Sequence, residues 1–235
     1  MNMPSYLPLL AVITGILETV GAVWAMAGRG RRTILVPIAF IFALLAGYQF
    51  AEAAVCARPA NLLFSRLAFL DITWLPPAGL WLVFRLTSGR SRWRIALPLF
   101  YSAAALAVSV WIALDPSCIT QSVCRMVLAV FRHAPVFEYV FGIFYQSAMF
   151  VLIAWPSIEL ARAGDPLIRK HLASVQLGVL GFVLPSLYLR IMMREPEGLL
   201  PSVMCHFAVT LALGLAVSVA RERAAANAAD GSRAG

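Results

Sequence analysis

Asp71, His206 and either Glu138 or Glu18 supply oxygen and nitrogen ligands of the kind that hold a divalent metal with one position open for water. All of them fall inside long apolar stretches, where a charged side chain costs ~2.5–3.5 kcal/mol and so needs a partner or a purpose. Gln49 and Glu52, three residues apart, share a helix face. Glu52 stands four residues before the end of one apolar run and Arg66 four residues into the next. Antiparallel neighbours therefore place these two at equal depth, as a buried ion pair or a charge-neutralising clamp. Asp71 follows Arg66 by five residues, about 140° further around a helix, and faces elsewhere. Glu18, Asp71 and Gln146 at mid-depth offer a third chemistry, a proton relay, while Arg190 joins the polar set from a later run.

Ligand supply limits the metal reading. The chain has only 3 histidines, of which His133 and His171 fall outside the apolar interior, and no HExxH or paired-histidine spacing occurs. A lone histidine such as His206 serves equally as a hydrogen-bonded helix contact. Cys205 adjoins His206, but neighbours on a helix point about 100° apart and form no dyad.

The elements that must position these groups are seven apolar runs: Tyr6–Ala27, Thr33–Cys56, Leu62–Phe84, Ile95–Leu114, Val136–Trp155, Leu172–Ile191 and Leu199–Ala220. Each has about the 20 residues that cross ~30 Å of hydrocarbon as a helix. Composition agrees, with 61% hydrophobic residues, 13% charged and a mean hydropathy of +0.83; an ordinary soluble domain carries about 25% charge. The 235 residues leave no room for a sizeable aqueous domain beside seven spans. Arginines crowd alternate gaps: Arg29, Arg31 and Arg32; Arg85, Arg90, Arg92 and Arg94; Arg162 and Arg169 with Lys170; then Arg221, Arg223 and Arg233. The positive-inside rule makes these gaps cytoplasmic and the N-terminus external. The expected fold is an all-α seven-transmembrane-helix bundle over residues 1–222, followed by an Ala-, Gly- and Ser-rich disordered cytoplasmic tail over 223–235. The first run lacks a preceding basic region and is followed by arginines, so it reads as a retained span rather than a cleaved signal. The net charge of +8 belongs to these loops, where anionic lipid headgroups and not nucleic acid are the nearer partner.

In this orientation most intramembrane polar residues gather in the external half, which predicts an outward-facing polar pocket lined by Gln49, Glu52, Arg66, Asp71, Glu138, Arg190 and His206. The four cysteines lie on the same side; Cys118 and Cys124 are an exposed pair able to close a short loop, although four cysteines allow three connectivities and the sequence does not choose. Between Asp115 and Pro135, the apolar patch Met126–Phe131 reads as a short interfacial helix or as a lid over the bundle mouth. Pro76-Pro77 should kink or break the third helix. Ala43, Gly47 and Ala51 form a small-residue stripe for close helix packing.

From Gln49 to Phe84 the chain carries Gln49-x-x-Glu52, Cys56-x-x-Pro59-x-Asn61, Ser65, and Asp71-Ile72-Thr73-Trp74-Leu75-Pro76. This pattern resembles small multi-pass bacterial membrane proteins of unknown function, a likeness extended by Cys118 and Cys124 before His133 and by Pro201 to Cys205. It implies a bacterial cytoplasmic-membrane location and the seven-helix fold, and brings no activity with it. Where such proteins often carry histidine this chain has Asp71, which counts against a histidine-based metal site. A looser similarity to seven-helix ceramidase and adiponectin-receptor-like zinc hydrolases is one of fold alone, because their multiple-histidine signature is missing. Three functions follow as expectations. The first is a non-enzymatic sensory or accessory module binding a small ligand or lipid in the outward pocket, with membrane lipids and another membrane protein as partners. The second is a metal-dependent hydrolase acting on an outer-leaflet lipid, with Asp71 and His206 on a divalent metal. The third is a transporter or proton-coupled carrier, which requires polar residues continuing into an inner half that reads dry.

Overall fold

A computed structural model describes residues 9–58, 60–87, 92–125, 128–193 and 200–234; within these, the side chains at 92–93, 125, 128, 186, 189–193, 200–206 and 231–234 lie outside the description. Seven helices follow in order: α1 (Leu9–Ala27), α2 (Arg32–Ala57), α3 (Leu62–Thr87), α4 (Arg92–Leu114), α5 (Pro135–Arg162), α6 (Pro166–Met193) and α7 (Leu200–Ala234). Six of them, α1 to α6, are long and apolar enough to cross a membrane over their described residues, and α7 carries the seventh apolar run. Their outward faces are apolar, as at Leu17, Phe100 and Phe150, which is how a helix meets lipid rather than water.

Consecutive helices pack as antiparallel neighbours from α1 to α4 and again from α5 to α7. Between α4 and α5 contact is slight, because the connecting segment is itself structured; α5 packs on α3 and α6 instead. Helix α7 returns to touch α1 and α2, closing the bundle around α2 and α3. Gly214 of α7 sits so close to α6 that a Cβ there would lie 2.5 Å from the Ser174 carbonyl oxygen. Small residues let these backbones meet, as membrane helices without a hydrophobic driving force require.

Two expectations change here. Pro76 and Pro77 are buried within α3, which runs from Leu62 to Thr87 without breaking at them; prolines are tolerated in membrane helices where neighbours can satisfy the freed carbonyls. The tail expected to be disordered continues α7 as helix to Ala234. Alanine is the strongest helix former, and Asp230 of the extension meets Arg29 in an exposed ion pair at 3.2 Å that adds little to it.

The α4–α5 connection is not a helix. After a short 3-10 turn at Pro116–Cys118, β1 (Ile119–Arg125) and β2 (Leu128–His133) form an antiparallel hairpin with Val123 opposite Val130 and Ile119 opposite His133. Alternation explains why. Ala129 and Phe131 are fully buried while Arg132 is exposed, the period of two that belongs to a half-buried strand and not to a helix. The hairpin packs against α2, α3 and α7 and lies over one end of the bundle, so the lid reading of this segment describes its position.

Candidate functional site

The hairpin end is built from tethers of different chemistry. Cys56 at the end of α2 is disulfide-bonded to Cys124 of β1, a connectivity that crosses 68 residues, while Cys118 remains a buried free thiol. The Cys118/Cys124 loop is therefore not the bridge; Cys118 points instead toward the Trp111 carbonyl at 3.9 Å. Burial pushes its thiol up to about 11, so it stays protonated and unreactive. Glu52, 1% exposed, accepts a hydrogen bond from the Ala129 backbone N–H at 3.2 Å. Arg66 donates to the Pro116 carbonyl at 3.2 Å, and the Glu52–Arg66 ion pair expected from equal depth is not among the ion pairs of the described residues. Both residues hold the cap: a polar element nearby offered each a closer partner than the other helix did. Asp115 caps the 3-10 turn by accepting from Ser117, and those bonds hold its carboxyl below the usual range.

Beneath the hairpin, Phe69 of α3 packs edge-on against Phe131, His133, Phe137 and Phe141, with ring centroids 4.7 to 6.1 Å apart. Edge-to-face pairs of this kind contribute beyond their buried area. His133 sits among these rings with Nε2 enclosed and without a partner among the described residues, and its burial lowers its pKa to about 4. The unfolded chain binds this proton first, near 6.5. Cap stability is thus complete above pH 6.5 and is lost as pH falls toward 4, by up to ~3 kcal/mol. Trp111 fluorescence followed through that window reports the loss, because Trp111 packs on Phe137; His133→Phe is expected to flatten the profile.

Of the other residues expected to form a pocket, Gln49 is buried on α2 and Glu138 is partly exposed in the first turn of α5. Asp71 lies against Gly47 of α2, where an added Cβ would be 2.4 Å from its Oδ2. The Arg190 and His206 side chains lie outside the described residues, as does Pro59 of the α2–α3 connection. Among the described residues no three His, Cys, Asp or Glu side chains gather as metal ligands. The relay does not assemble either. Glu18 is 1% exposed with both carboxylate oxygens unpartnered among the described residues, but Gln146 faces outward from α5. The centre of the bundle, among Leu75, Leu82, Met149, Leu152, Phe182 and Leu211, encloses an apolar void of about 20 Å³, room for roughly one water.

The opposite end holds a cluster that residue spacing did not reveal. Glu222 of α7, 3% exposed, accepts from Arg31 through Nε at 2.8 Å, Nη2 at 2.9 Å and the backbone N–H at 2.8 Å. His171 of α6, fully buried, places Nε2 at 3.2 Å from Oε2 of the same carboxylate. Burial pushes the Glu222 carboxyl up, but the Arg31 bonds and charge outweigh it and hold the group below its ordinary value. Gly30 makes the approach possible: its φ of +143° disfavours other residues, and a Cβ would meet Glu222 Cγ at 2.8 Å. Arg223 adds a contact over the Trp24 ring at 4.8 Å and donates to the Trp24 carbonyl. Further into the bundle, Ser174 and Ser218 share a 2.8 Å hydrogen bond, and Gln176 donates to Ser157 at 2.9 Å. Charge thus locks the α1–α2 loop to α7 through Arg31 and Glu222, and α6 meets the same carboxylate through the His171 ring.

Six membrane-length apolar helices make this, by length and composition, a multi-pass membrane protein. Compared with protein-family models, curated proteins and solved structures, the chain matches none, so no family is identified for it.

Proposed function

We propose that the protein is a non-enzymatic sensory or accessory module of the bacterial cytoplasmic membrane. In this reading all seven apolar runs span, the hairpin end faces outward, and the cap senses a small ligand or lipid held by the polar residues beneath it. The observation that carries the reading is the course of α7. At one end it packs against β2 of the cap; at the other it is fixed through Glu222 and runs on as helix to Ala234, about 18 Å beyond the lock at 1.5 Å per residue. One continuous rod therefore joins the sensing end to an output for another membrane protein. A disulfide at the cap fits an oxidising exterior, and the arginine-rich loops at the far end fit a cytoplasmic side.

The hydrolase alternative, with Asp71 and His206 on a divalent metal, makes a different prediction. Elemental analysis of gently purified protein, combined with a hydrolysis assay on phosphatidylglycerol vesicles, separates the two. The module reading expects substoichiometric transition metal and no turnover. One equivalent of zinc with turnover that Asp71→Asn abolishes would replace it with the hydrolase. A carrier needs a polar path across the apolar centre, and the residues around Leu152 and Phe182 give that reading little support.

A further inference from the structure

The far half of the α1–α2 interface leaves a groove of about 640 Å³ open to the membrane. Its floor is made of small residues, Ala22, Ala39 and Ala43, and its walls of Val23, Val36 and Phe40, each wall residue 47% to 63% exposed. Small side chains opposite one another on two packed helices cannot fill the space between them, so the groove follows directly from the sequence. From Val36 to Ala43 it runs about 10 Å along the helix axis. At hydrocarbon depth nothing but an acyl chain or another apolar helix can occupy it.

Charge decides between these. The groove ends at Met26 and Ala27, and there Arg32 donates through Nη1 to the Met26 carbonyl. That bond fixes an exposed guanidinium at the mouth, and a guanidinium carries five N–H donors, so it has donors beyond this bond to offer an anion. Arg29 lies in the same loop and is 78% exposed, though Asp230 already takes part of its charge. Arg31 is committed to Glu222 and Arg223 to Trp24. An apolar trough with an arginine at its interfacial end matches a lipid carrying its negative charge on the phosphate.

We infer that this groove is a binding site for an anionic phospholipid, one acyl chain lying on Ala39 and Ala43 and the phosphodiester on Arg32. The site lies at the opposite end from the cap and holds whether or not the sensory reading does. Occupancy would tie α1 to α2 beside the Glu222 lock.

Native mass spectrometry of the full chain, released from detergent containing equal phosphatidylglycerol and phosphatidylcholine, tests it. Wild type is expected to retain phosphatidylglycerol in preference by about fivefold, the worth of one basic group near an anionic surface. Arg32→Gln is expected to erase the preference, and Ala43→Phe to reduce retention of both lipids. Helix content by circular dichroism guards against a misfolded variant, and Arg162→Gln, remote in sequence and absent from the groove, should leave the preference intact. Equal retention of the two lipids by wild type, or an unchanged preference in Arg32→Gln, would overturn the assignment. So would disulfide cross-linking between two chains carrying Ala43→Cys, since a second copy would then fill the groove.

Discussion

Glu222→Ala is expected to lower the stability of the folded chain by about 3 kcal/mol, the low end of what breaking a buried charged pair costs. The low end applies because Arg31 is 47% exposed and regains water, so no charge is stranded in the interior, and the fully buried His171 ring loses only the carboxylate beside it. Three backbone segments lose their common anchor at once, so the effect should appear as a lower denaturant midpoint in detergent. The acid limb gives a second check. Glu222 has its carboxyl held below the ordinary range, so its contribution is present above the unfolded value near 4.3 and disappears as pH falls through the folded one. That limb should be missing from Glu222→Ala. Glu222→Gln, able to accept Arg31 on one oxygen, should fall between the two.

Cys56→Ser has the second large effect, at the other end. A bridge closing 68 residues removes about 4 kcal/mol of chain entropy from a freely unfolding polypeptide. Here α3 and α4 lie within that loop and remain helical in the bilayer, so the global loss is smaller and the local one dominates. A two-stranded hairpin is marginal by itself. Without the bridge it keeps the Glu52 bond to Ala129, the Arg66 bond to Pro116 and the packing of Phe131. Hairpin amides are expected to exchange at least about tenfold faster in the variant while those of α3 stay protected. Combining Cys56→Ser with Glu52→Ala should speed hairpin exchange further, leaving the cap on the Arg66 bond and the packing of Phe131 alone.

The helices were legible because membrane length and apolarity are properties of contiguous sequence. Each described helix falls on an expected run. Partners were less legible. Glu52 and Arg66 were matched by depth, yet depth fixes only one coordinate, and the hairpin that separates them arrives from a segment more than fifty residues further on. The hairpin itself was written in the alternation of Ala129, Phe131 and His133, a signal short enough to be read as an apolar patch. Glu222 and His171 carried no local signature at all: each stands among arginines or at a helix start, as a solvated charge does. Only the closure of α7 onto the α1–α2 loop makes them one site. Tail helicity is not legible because alanine-rich composition serves a helix and a loose tail equally, and what decides is that the tail continues a packed helix, α7.

Hydrogen–deuterium exchange in lipid nanodiscs, with and without reduction of the Cys56–Cys124 bond, tests the central claim most directly: that the cap and the far end of α7 act as one body. Coupling predicts faster exchange in β1 and β2 and, in the same sample, across residues 222–230. Faster exchange confined to the hairpin, with 222–230 unchanged, would contradict it and leave the cap a cover with no line of communication.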